Sequence, residues 1–444
     1  MASDLLSIGA SGTRAARAAL DVTAHNIANS ATEGYVRRSL DVRELSGTGA
    51  IGREKDVSQW GVRVDGVARN ADPFLQRQLR GSVSESQAAA TQLSTLRAME
   101  DNLANSGLFD AMIGLEAALK GLSANPADLA LREQALAASG TVARAFNVAA
   151  NRLDDLAGQT GEEADLRISE ANHIGQELAR INVQLARTAA GGAKSANLMD
   201  WRDALLERLS SVADTSVQLD ESGAARVALG DMVDFVSGGT SRVLSSSADP
   251  SGGFAFAIDG EPVAIAGGEL AGLDASGRSF EKRLTELDDM AVGLTRTLNE
   301  AQANGADFDG QPGQPWLSGT NARDLAPALP TGRDLALAPA GSPPGSTSGD
   351  NLAALRTAFA STGHVERVDA MVLSLSSEVA SRSITSEALS AITTVDRARL
   401  TEQAGVDLNA EAMNLIRFQQ TFQASSRAMQ VASDIFDTML GVGR

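Results

Sequence analysis

The C-terminal part of the sequence carries an apolar repeat with a period of seven residues. Leu408, Leu415, Phe422, Met429 and Phe436 follow one another at this spacing without a gap. Such a repeat places the apolar side chains in one stripe along a helix, and a second helix must cover that stripe. The sequence therefore predicts a C-terminal helix that takes part in a coiled coil.

A second row lies three positions along from the first and is interrupted. It contains Phe418, Ala432 and Met439, with Glu411 and Ser425 at the intervening positions. An ordinary amphipathic helix in a globular core shows a similar period, so periodicity alone leaves both interpretations open.

Residues 4–29 supply a candidate partner for this helix. Apolar and small residues recur there at three- and four-residue steps, and much of the face is Gly and Ala. Small side chains allow another helix to approach closely but bury little apolar area, so this helix is weak alone. We expect the two terminal helices to pair with each other. The predicted contact residues of the first helix are Leu5, Ile8, Ala15, Ala19 and Val22.

The interior of the chain divides into helical and β regions. Helical patterns occupy 72–213 and 279–403, whereas apolar residues alternate at every second position within 214–278. The sequence thus predicts a mainly α protein with an inserted helical domain and a small antiparallel β domain. Residues 1–71 and 404–444 are expected to form a coiled-coil domain, with a loop or hairpin after the first helix.

The sequence also makes predictions about the segments between the main helices. Residues 304–350 hold seven of the eleven prolines, which predicts an irregular and mobile segment. A helix break is expected between 127–157 and 162–188. Short alternating runs at 39–42 and 61–67 predict a β-hairpin.

Composition argues against several functions. The net charge is −18, from 38 Lys plus Arg and 56 Asp plus Glu, which disfavours binding to nucleic acid or to an anionic membrane. Without Cys the chain has no disulfide and no thiolate site. No apolar run approaches the ~18 residues of a membrane-spanning helix. The first residues lack the features of a cleaved signal peptide, so any export is expected to proceed without one.

The sequence predicts no catalytic, cofactor or metal site. His25, His173 and His364 are far apart and belong to no H-E-x-x-H motif. The G-x-G-x-x-G pattern at 47–52 is followed by alternating residues rather than by a helix, which favours a loop. Residues 307–310 contain part of a calcium-loop pattern without its remaining ligands, which favours a turn. We therefore expect the protein not to be an enzyme.

A short motif follows the first predicted helix. Residues 26–35 read Asn-Ile-Ala-Asn-Ser-Ala-Thr-Glu-Gly-Tyr. This pattern, N-I-A-N-x-x-T-x-G-Y, resembles that of bacterial flagellar axial proteins, and residues 405–440 resemble their terminal helix. Glu33 departs from the pattern, because many of these proteins have Pro there. The motif residues are Asn26, Ile27, Ala28, Asn29, Thr32, Gly34 and Tyr35.

Interior segments narrow the resemblance to one family of axial proteins. Four segments resemble those of hook-associated protein 1, the first junction protein between hook and filament. They are Ala124–Asp128 with Arg132, Leu198–Asp203, Gly267–Gly272 and Gly349–Leu352.

The resemblance implies a structural role in the bacterial flagellum. It also implies that the coiled-coil domain is the inner one and that the antiparallel β domain is the outer one. Subunits of this family are expected to assemble in a helical ring at the distal end of the hook. They would contact the hook protein and a second hook-associated junction protein. Export would use the flagellar type III apparatus and an export chaperone, with no nucleic acid, membrane insertion or cofactor involved. The expected location is extracellular.

Assembly is expected to order the terminal helices, because the first helix has no stable partner in a free monomer. The alternative is a stable monomer in which both helices pack onto a globular core. Two rival functions stay open at this stage: another axial protein, such as a hook or distal-rod protein, and a surface adhesin.

Overall fold

The computed structural model describes residues 2–32, 34–45, 61–189 and 191–442. Within these ranges the protein is mainly helical, with short strands in pairs and small sheets. The α-helices are α1 (Ala2–Ala28), α2 (Pro73–Ala104), α3 (Leu108–Leu122), α4 (Leu129–Arg187), α5 (Ala193–Val212), α6 (Gly268–Ala303), α7 (Asp350–Thr362), α8 (His364–Ala404) and α9 (Leu408–Val442). The predicted mainly α class is confirmed, and no helix among the described residues is long and apolar enough to cross a membrane.

The strands fall in three parts of the chain. All pairings between them are antiparallel. They are β1 (Arg38–Leu45), β2 (Gly61–Arg69), β3 (Thr215–Leu219), β4 (Ala225–Leu229), β5 (Val233–Ser237), β6 (Thr240–Ser241), β7 (Leu244–Ala248), β8 (Phe254–Ile258), β9 (Glu261–Val263), β10 (Gly305–Ala306), β11 (Leu317–Ser318), β12 (Ala326–Pro327) and β13 (Ala338–Pro339).

The two ends of the chain come together. α1 packs along α9, as the sequence predicts, and the hairpin of β1 and β2 lies beside α1. The hairpin register runs from Arg38 opposite Arg69 to Leu45 opposite Gly61, which confirms the predicted hairpin. The G-x-G-x-x-G pattern at 47–52 lies outside the described residues.

The largest core lies among α2, α3, α4, α6, α7 and α8. Their apolar residues recur at three- and four-residue steps and therefore face inward together. Leu96, Leu115, Phe146, Phe280 and Leu294 are essentially inaccessible to solvent. We call this helical part, with the segment 304–350 that packs on it, the body.

The long helix α4 corrects one expectation. It is continuous over 59 residues, about 88 Å, and no break separates the two predicted helices. A glycine inside a helix costs only about 1 kcal/mol, and Gly158 and Gly161 stand where no other part of the chain approaches. Leu153 and Ala164 on either side are fully buried, and their packing outweighs that cost.

The strands β3 to β9 form two small sheets, with orders β3-β4-β5-β6 and β7-β8-β9. They enclose a second core with the C-terminal half of α4, with α5 and with the start of α6. Leu270 and Leu273 belong to the first turns of α6 and are buried. Helix α6 therefore begins within the predicted 214–278 region, eleven positions before the expected 279, because Gly-rich residues at its start masked the helical period.

The proline-rich segment 304–350 is irregular, but it packs tightly rather than forming a mobile loop. Strands β10 and β13 pair, as do β11 and β12. The Trp316 indole is buried and donates a hydrogen bond to Ser139 Oγ at 2.9 Å. The buried Arg132 guanidinium donates to Leu335 O at 2.8 Å and to Pro126 O at 2.6 Å. Apolar side chains and these hydrogen bonds fix a segment whose prolines favour no regular structure.

Candidate assembly site

The contact between α1 and α9 depends on small residues. A Cβ atom added at Gly9 would lie 2.5 Å from Met429 Cγ, and one added at Gly12 would lie 2.8 Å from Ser425 Oγ. Residue numbers rise along α1 as they fall along α9, so the two helices are antiparallel. The glycines let the helix axes approach more closely than any larger residue would allow. We call α1 and α9 together the terminal hairpin.

The buried stripe of α1 differs in phase from the predicted one. It follows alternating steps of three and four residues, as in a coiled coil. Its buried residues are Gly9, Ala16, Ala19, Thr23 and Asn26, and Gly12, which is partly buried, belongs to the same stripe. The sequence reasoning weighted large apolar side chains, whereas close packing selected the small ones.

The predicted contact residues of α1 therefore lie in different environments. Ala19 is buried, and Ala15 and Val22 are partly buried. Leu5 and Ile8 are 46% and 43% exposed. Their part in an assembled seam stays a prediction.

On α9 both predicted rows face α1 in the middle of the helix. Leu415, Phe418, Phe422 and Met429 are partly buried there. Leu408 and Phe436, at the two ends of the stripe, are exposed, and the Met439 side chain lies outside the described part of the structure. A continuous stripe thus exists, but only its central part is covered within one chain.

The opposite side of α9 also carries apolar side chains that the described part of the chain leaves exposed. Met413 and Val431 are 67% and 57% exposed, and Ile416 is exposed as well. At 100° per residue these three lie across the helix from the stripe that meets α1, with Gln420 and Arg427 between them, whereas Ile435 lies beside the stripe. The helix therefore has exposed apolar positions on the side that faces away from α1.

The Asn26–Tyr35 motif turns the chain from α1 into the β1–β2 hairpin. Asn26 is buried, and its amide donates to Arg38 O at 2.8 Å while its Oδ1 accepts from Arg38 N at 3.0 Å. The Tyr35 hydroxyl donates to the same Oδ1 at 2.9 Å. Gly34 has φ +76°, in the region that favours glycine.

The remaining motif residues close the end of α1. The Asn29 amide donates to His25 O at 2.9 Å, and Thr32 N donates to Asn29 O at 2.9 Å. Ile27 is partly buried, while Ala28 is exposed. Glu33, the departure from the family pattern, lies outside the described residues.

Two arginines that follow the motif tie it to distant parts of the chain. Arg37 N donates to Ala404 O at 2.8 Å, at the end of α8. The Arg37 side chain pairs with Glu411 at 2.7 Å, and Glu411 is only 1% exposed. Glu411 interrupts the apolar row of α9 because its carboxylate holds the motif turn in place.

Arg38 belongs to a buried ionic cluster at the open end of the β1–β2 hairpin. It pairs with Asp200 at 2.7 Å, and Arg69 pairs with both Asp200, at 2.8 Å, and Asp203, at 2.7 Å. Arg202 pairs with Asp203 at 2.6 Å. Both strands of the β1–β2 hairpin are thereby fixed to α5. We call these five residues the basal cluster.

The two carboxyl groups of the basal cluster differ in electrostatics. Burial raises the pKa of Asp200 above its usual range, and the attraction of Arg69 and Arg38 only partly offsets this effect. For Asp203 burial acts in the same direction, but Arg202 and Arg69 outweigh it and lower its pKa. Burial also raises the pKa of the Tyr35 hydroxyl. These contacts stabilise the attachment of the β1–β2 hairpin to α5.

A groove of about 1030 Å³ lies where the motif turn, α2, α5 and α8 meet. Its apolar lining includes Val36, Leu79, Val83 and Leu400. Its charged lining includes arginines from three helices. They are Arg80, Arg208 and Arg397. We call this space the basal groove.

The histidines are not gathered into a site. His25 and His173 are exposed on their helices. His364 is buried, with Nε2 3.0 Å from Thr297 Oγ1, and burial lowers its pKa to about 4. Within the described ranges no group of three or more His, Asp or Glu side chains has the geometry of a metal site.

Sequence reasoning missed the residues of the basal cluster as functional residues. Asp200, Arg202 and Asp203 lie in a segment that was noted only for its resemblance to a family. Their partners Arg38 and Arg69 come from the hairpin, far away along the chain. The one signal in the sequence is the close spacing of Asp200, Arg202 and Asp203 within about one helical turn.

Comparison with known families gives three matches along the chain. The helical domain of the flagellar hook-associated protein FlgK matches residues 93–316. The flagellar basal body rod protein family matches 6–35, and the C-terminal family of the rod proteins FlgEFG matches 398–442. The terminal matches contain the motif and α9, and the interior match contains the last part of α2, the helices α3 to α6 and the strands β3 to β10.

Individual relatives agree with these matches. Flagellar hook-associated protein 1 of Salmonella typhimurium is 27% identical over 335 residues, 71% of this chain and 59% of the relative. The chain thus spans about three-fifths of that protein. The Bacillus subtilis protein of the same name is 24% identical and is covered almost end to end, 97% of this chain and 96% of the relative.

A solved structure has the same fold over part of its length. The flagellar hook junction protein FlgK from Burkholderia pseudomallei superimposes with a TM-score of 0.50 at 23% identity, over 55% of this chain and 46% of that one. The FlgK helical-domain match by itself covers just over half of the 444 residues. The chain therefore belongs to the FlgK family of flagellar hook-associated proteins.

Proposed function

We propose that this protein is a structural junction protein of the bacterial flagellum. It assembles as a helical ring at the distal end of the hook and connects the hook to the filament through a second hook-associated junction protein. Its location is extracellular. It reaches that position through the flagellar export apparatus, with an export chaperone and without cleavage of a signal peptide, and it performs no enzymatic reaction.

The observation that carries this proposal is the set of exposed apolar side chains on α9. One side of the helix packs on α1, while Met413, Ile416 and Val431 on the opposite side are exposed. Exposed large apolar side chains of this kind favour a contact site, and neighbouring copies supply the partners. Contacts between different faces of identical subunits generate rings or helical arrays, as an axial structure requires.

Each domain has its own role in this proposal. Residues 1–71 and 404–444 form the inner domain and carry the assembly contacts. Residues 72–213 and 268–403 form a helical domain that transmits force through its packed core, and 214–267 form an outer β domain. The long helix α4 enters both cores and thereby couples them mechanically.

Deletion of the gene tests the proposal. Cells that lack this protein should build complete hooks without filaments and should release flagellin into the medium. Electron microscopy and an immunoblot of the medium measure both. The wild-type gene on a plasmid is the control and should restore filaments.

Other outcomes would point elsewhere. Truncated or absent hooks would place the protein earlier in the axis, as a hook or rod component. Intact, motile filaments with reduced attachment to surfaces would favour an adhesin.

A further inference from the structure

The C-terminal half of α8 meets the body through a side that mixes apolar and polar residues. Gln78 of α2 donates to the buried Asp396 at 2.6 Å, and Thr393 donates to Ser82 O at 2.9 Å. The inward residues, all partly or fully buried, are Val379, Ser383, Ser386, Leu389, Thr393, Asp396 and Leu400. A helix that served only its own body would keep its apolar residues on this inner side.

The outer side of α8 is apolar along its length. At 100° per residue a row of residues lies opposite those that meet α2, and all of them are exposed in the described part of the structure. They are Ala370, Leu373, Ser377, Ala380, Ile384, Ala388, Ala391, Val395 and Ala398. Ile384 is 70% exposed and Leu373 is 61% exposed. The row contains no charged residue from 370 to 398, about 42 Å along the helix. We call it the outer stripe.

The spacing of the outer stripe is suited to another helix. Steps of three and four residues form a seam along which a second helix can lie, as in a coiled coil. Ile384 projects between Ala380 and Ala388, and these small side chains let a partner helix approach closely. The occupant that fits this surface is therefore a helix with an apolar side.

The size of the outer stripe limits how tightly it can hold a partner. A strip about 42 Å long and about 10 Å wide buries about 400 Å² on each partner, or about 800 Å² in total. Stable complexes between free proteins bury about 1,200–2,000 Å² in total. The stripe is thus too small to capture a free protein, but it is sufficient between chains that other contacts already hold side by side.

The outer stripe leads towards the exposed apolar positions of α9. Residues 405–407 alone separate the two helices. The helices share no extensive contact, so α9 leads away from α8 rather than folding back on it. Met413 and Ile416 of α9 are among the exposed residues that the proposed function assigns to neighbouring copies. A copy that contacts them is placed beside the outer stripe as well.

The stripe runs along the flank of the body rather than across one end. Helix α8 is antiparallel to α2, since Asp396 meets Gln78 while Ser376 meets Glu100. In the proposed ring other flagellar proteins contact the two axial ends, whereas copies of this chain contact the flanks. Sideways contacts between copies in the same orientation close into a ring or a helical turn.

We propose that the outer stripe of α8 is a flank contact between neighbouring copies of this chain and packs against a helix of the next copy. This inference rests on the proposed self-assembly and specifies one of its contacts. Because the stripe is small, the purified protein should not dimerise through it. The contact forms once the terminal hairpins have placed two copies side by side.

Photo-cross-linking in assembled flagella tests the proximity. A benzophenone amino acid is introduced at Ala388, in the stripe, and the matched control carries it at Ser390. Ser390 is exposed on the same helix but points about 160° away from Ala388. After irradiation of isolated flagella, the variant at Ala388 should yield a product of two copies of this chain, and the variant at Ser390 at least tenfold less. Mass spectrometry of peptides identifies the partner.

Three results of this experiment would overturn the proposal. The first is normal incorporation of the variant at Ala388 without cross-linking. The second is cross-linking to a different flagellar protein, and the third is cross-linking within a single copy. In all three cases filaments still form, so the proposed function stands while the flank contact is wrong.

A charge in the stripe decides the matter if the cross-linking variant does not incorporate. Ile384→Asp should reduce incorporation at least tenfold, whereas Ser390→Asp and the conservative Ile384→Leu should incorporate normally. Immunoblots of isolated flagella measure incorporation, and release of the variant into the medium shows that export continues.

The purified proteins complete this test. Wild type and Ile384→Asp should have the same circular dichroism, because Ile384 is exposed, and both should sediment as monomers. Normal incorporation of Ile384→Asp would contradict the proposal. A wild-type dimer that Ile384→Asp dissociates would contradict it as well, because the stripe would then hold free chains together.

Discussion

The body and the terminal hairpin are both helical, yet they are packed in opposite ways. The body buries large side chains completely, such as Phe146, Leu115 and Leu294. The hairpin joins its helices through glycines and alanines and leaves Leu5, Met413 and other large side chains in solvent. Since each buried methylene contributes about 0.8 kcal/mol, the body holds far more of the stabilising burial.

This difference indicates how stability is divided. We expect the body to fold by itself. The terminal hairpin depends on the Arg37–Glu411 pair and on the basal cluster and, in the proposed assembly, on contacts from neighbouring copies. A helix pair of this kind remains adaptable until a partner fixes it, as the proposed assembly requires.

The largest effect is expected from a charge in the hairpin stripe. Leu415→Asp or Phe422→Asp should abolish incorporation into flagella, because assembly would bury an unpaired carboxylate. The isolated variants should keep most of their helical circular dichroism, since these residues lie on α9, whose extensive contacts are with α1. Leu166→Asp, at a leucine 68% exposed on α4, is the control and should incorporate normally. Loss of most helix in the isolated Leu415→Asp protein would contradict the account.

The matching change in the body should affect stability rather than assembly. Phe146→Ala removes a fully buried aromatic ring and should lower the free energy of unfolding by about 3–5 kcal/mol. Urea denaturation measures this change. The exposed neighbour Val148→Ala should change the free energy by no more than about 0.5 kcal/mol. Equal effects at both positions would mean that the body is loosely packed.

The buried His364 should make the body sensitive to acid. Its pKa is about 4 in the folded protein and near 6.5 when exposed, because burial opposes its charged form, with Arg367 and Arg296 adding to this effect. The unfolded chain therefore takes up a proton first, and stability should fall as the pH drops from about 6.5 to about 4.

Thermal unfolding as a function of pH measures this sensitivity. The variant His364→Gln retains a polar partner for Thr297 and should lose that part of the pH dependence. An unchanged pH profile in this variant would show that other groups are responsible. His173→Gln, at an exposed position, is the control.

The smallest effect is expected from a Gly→Ala substitution, which can be made both in the body and in the terminal hairpin. Gly81→Ala lies in α2 with no atom of another segment near its Cβ position, and it should raise the free energy of unfolding by about 0.5–1 kcal/mol. Gly9→Ala would place its Cβ 2.5 Å from Met429 Cγ and should separate the terminal helices. We expect this variant to incorporate less efficiently without any change in the unfolding of the body. An increase in incorporation would mean that the close approach is unimportant.

Local patterns in the sequence were sufficient to predict the mainly α class, the pairing of the chain ends and the β1–β2 hairpin. Each of these depends on a period of two residues, of three to four residues or of seven residues within a short window. The phase of the α1 stripe was not predictable in this way, because Gly9 and Gly12 carry no hydrophobic signal and become important only when another helix approaches.

Long-range contacts explain the other differences. Arg38 and Asp200 are 162 positions apart, so no local pattern links them. The segment 304–350 is ordered by burial of Trp316 and by hydrogen bonds from Arg132. The proline content of the segment predicts neither contact. The continuity of α4 likewise depends on the cores that it joins rather than on Gly158 and Gly161 themselves.

Hydrogen exchange tests most directly whether assembly completes the terminal hairpin. The exchange of backbone amides would be compared between the purified monomer and intact flagella, by mass spectrometry of peptides from α1, α9 and α4. We expect the amides of α1 and α9 to exchange at least about 100-fold faster than the core of α4 in the monomer, and to become protected in flagella. Equal protection of all three helices in the monomer would show that the hairpin is stable alone and would contradict the account.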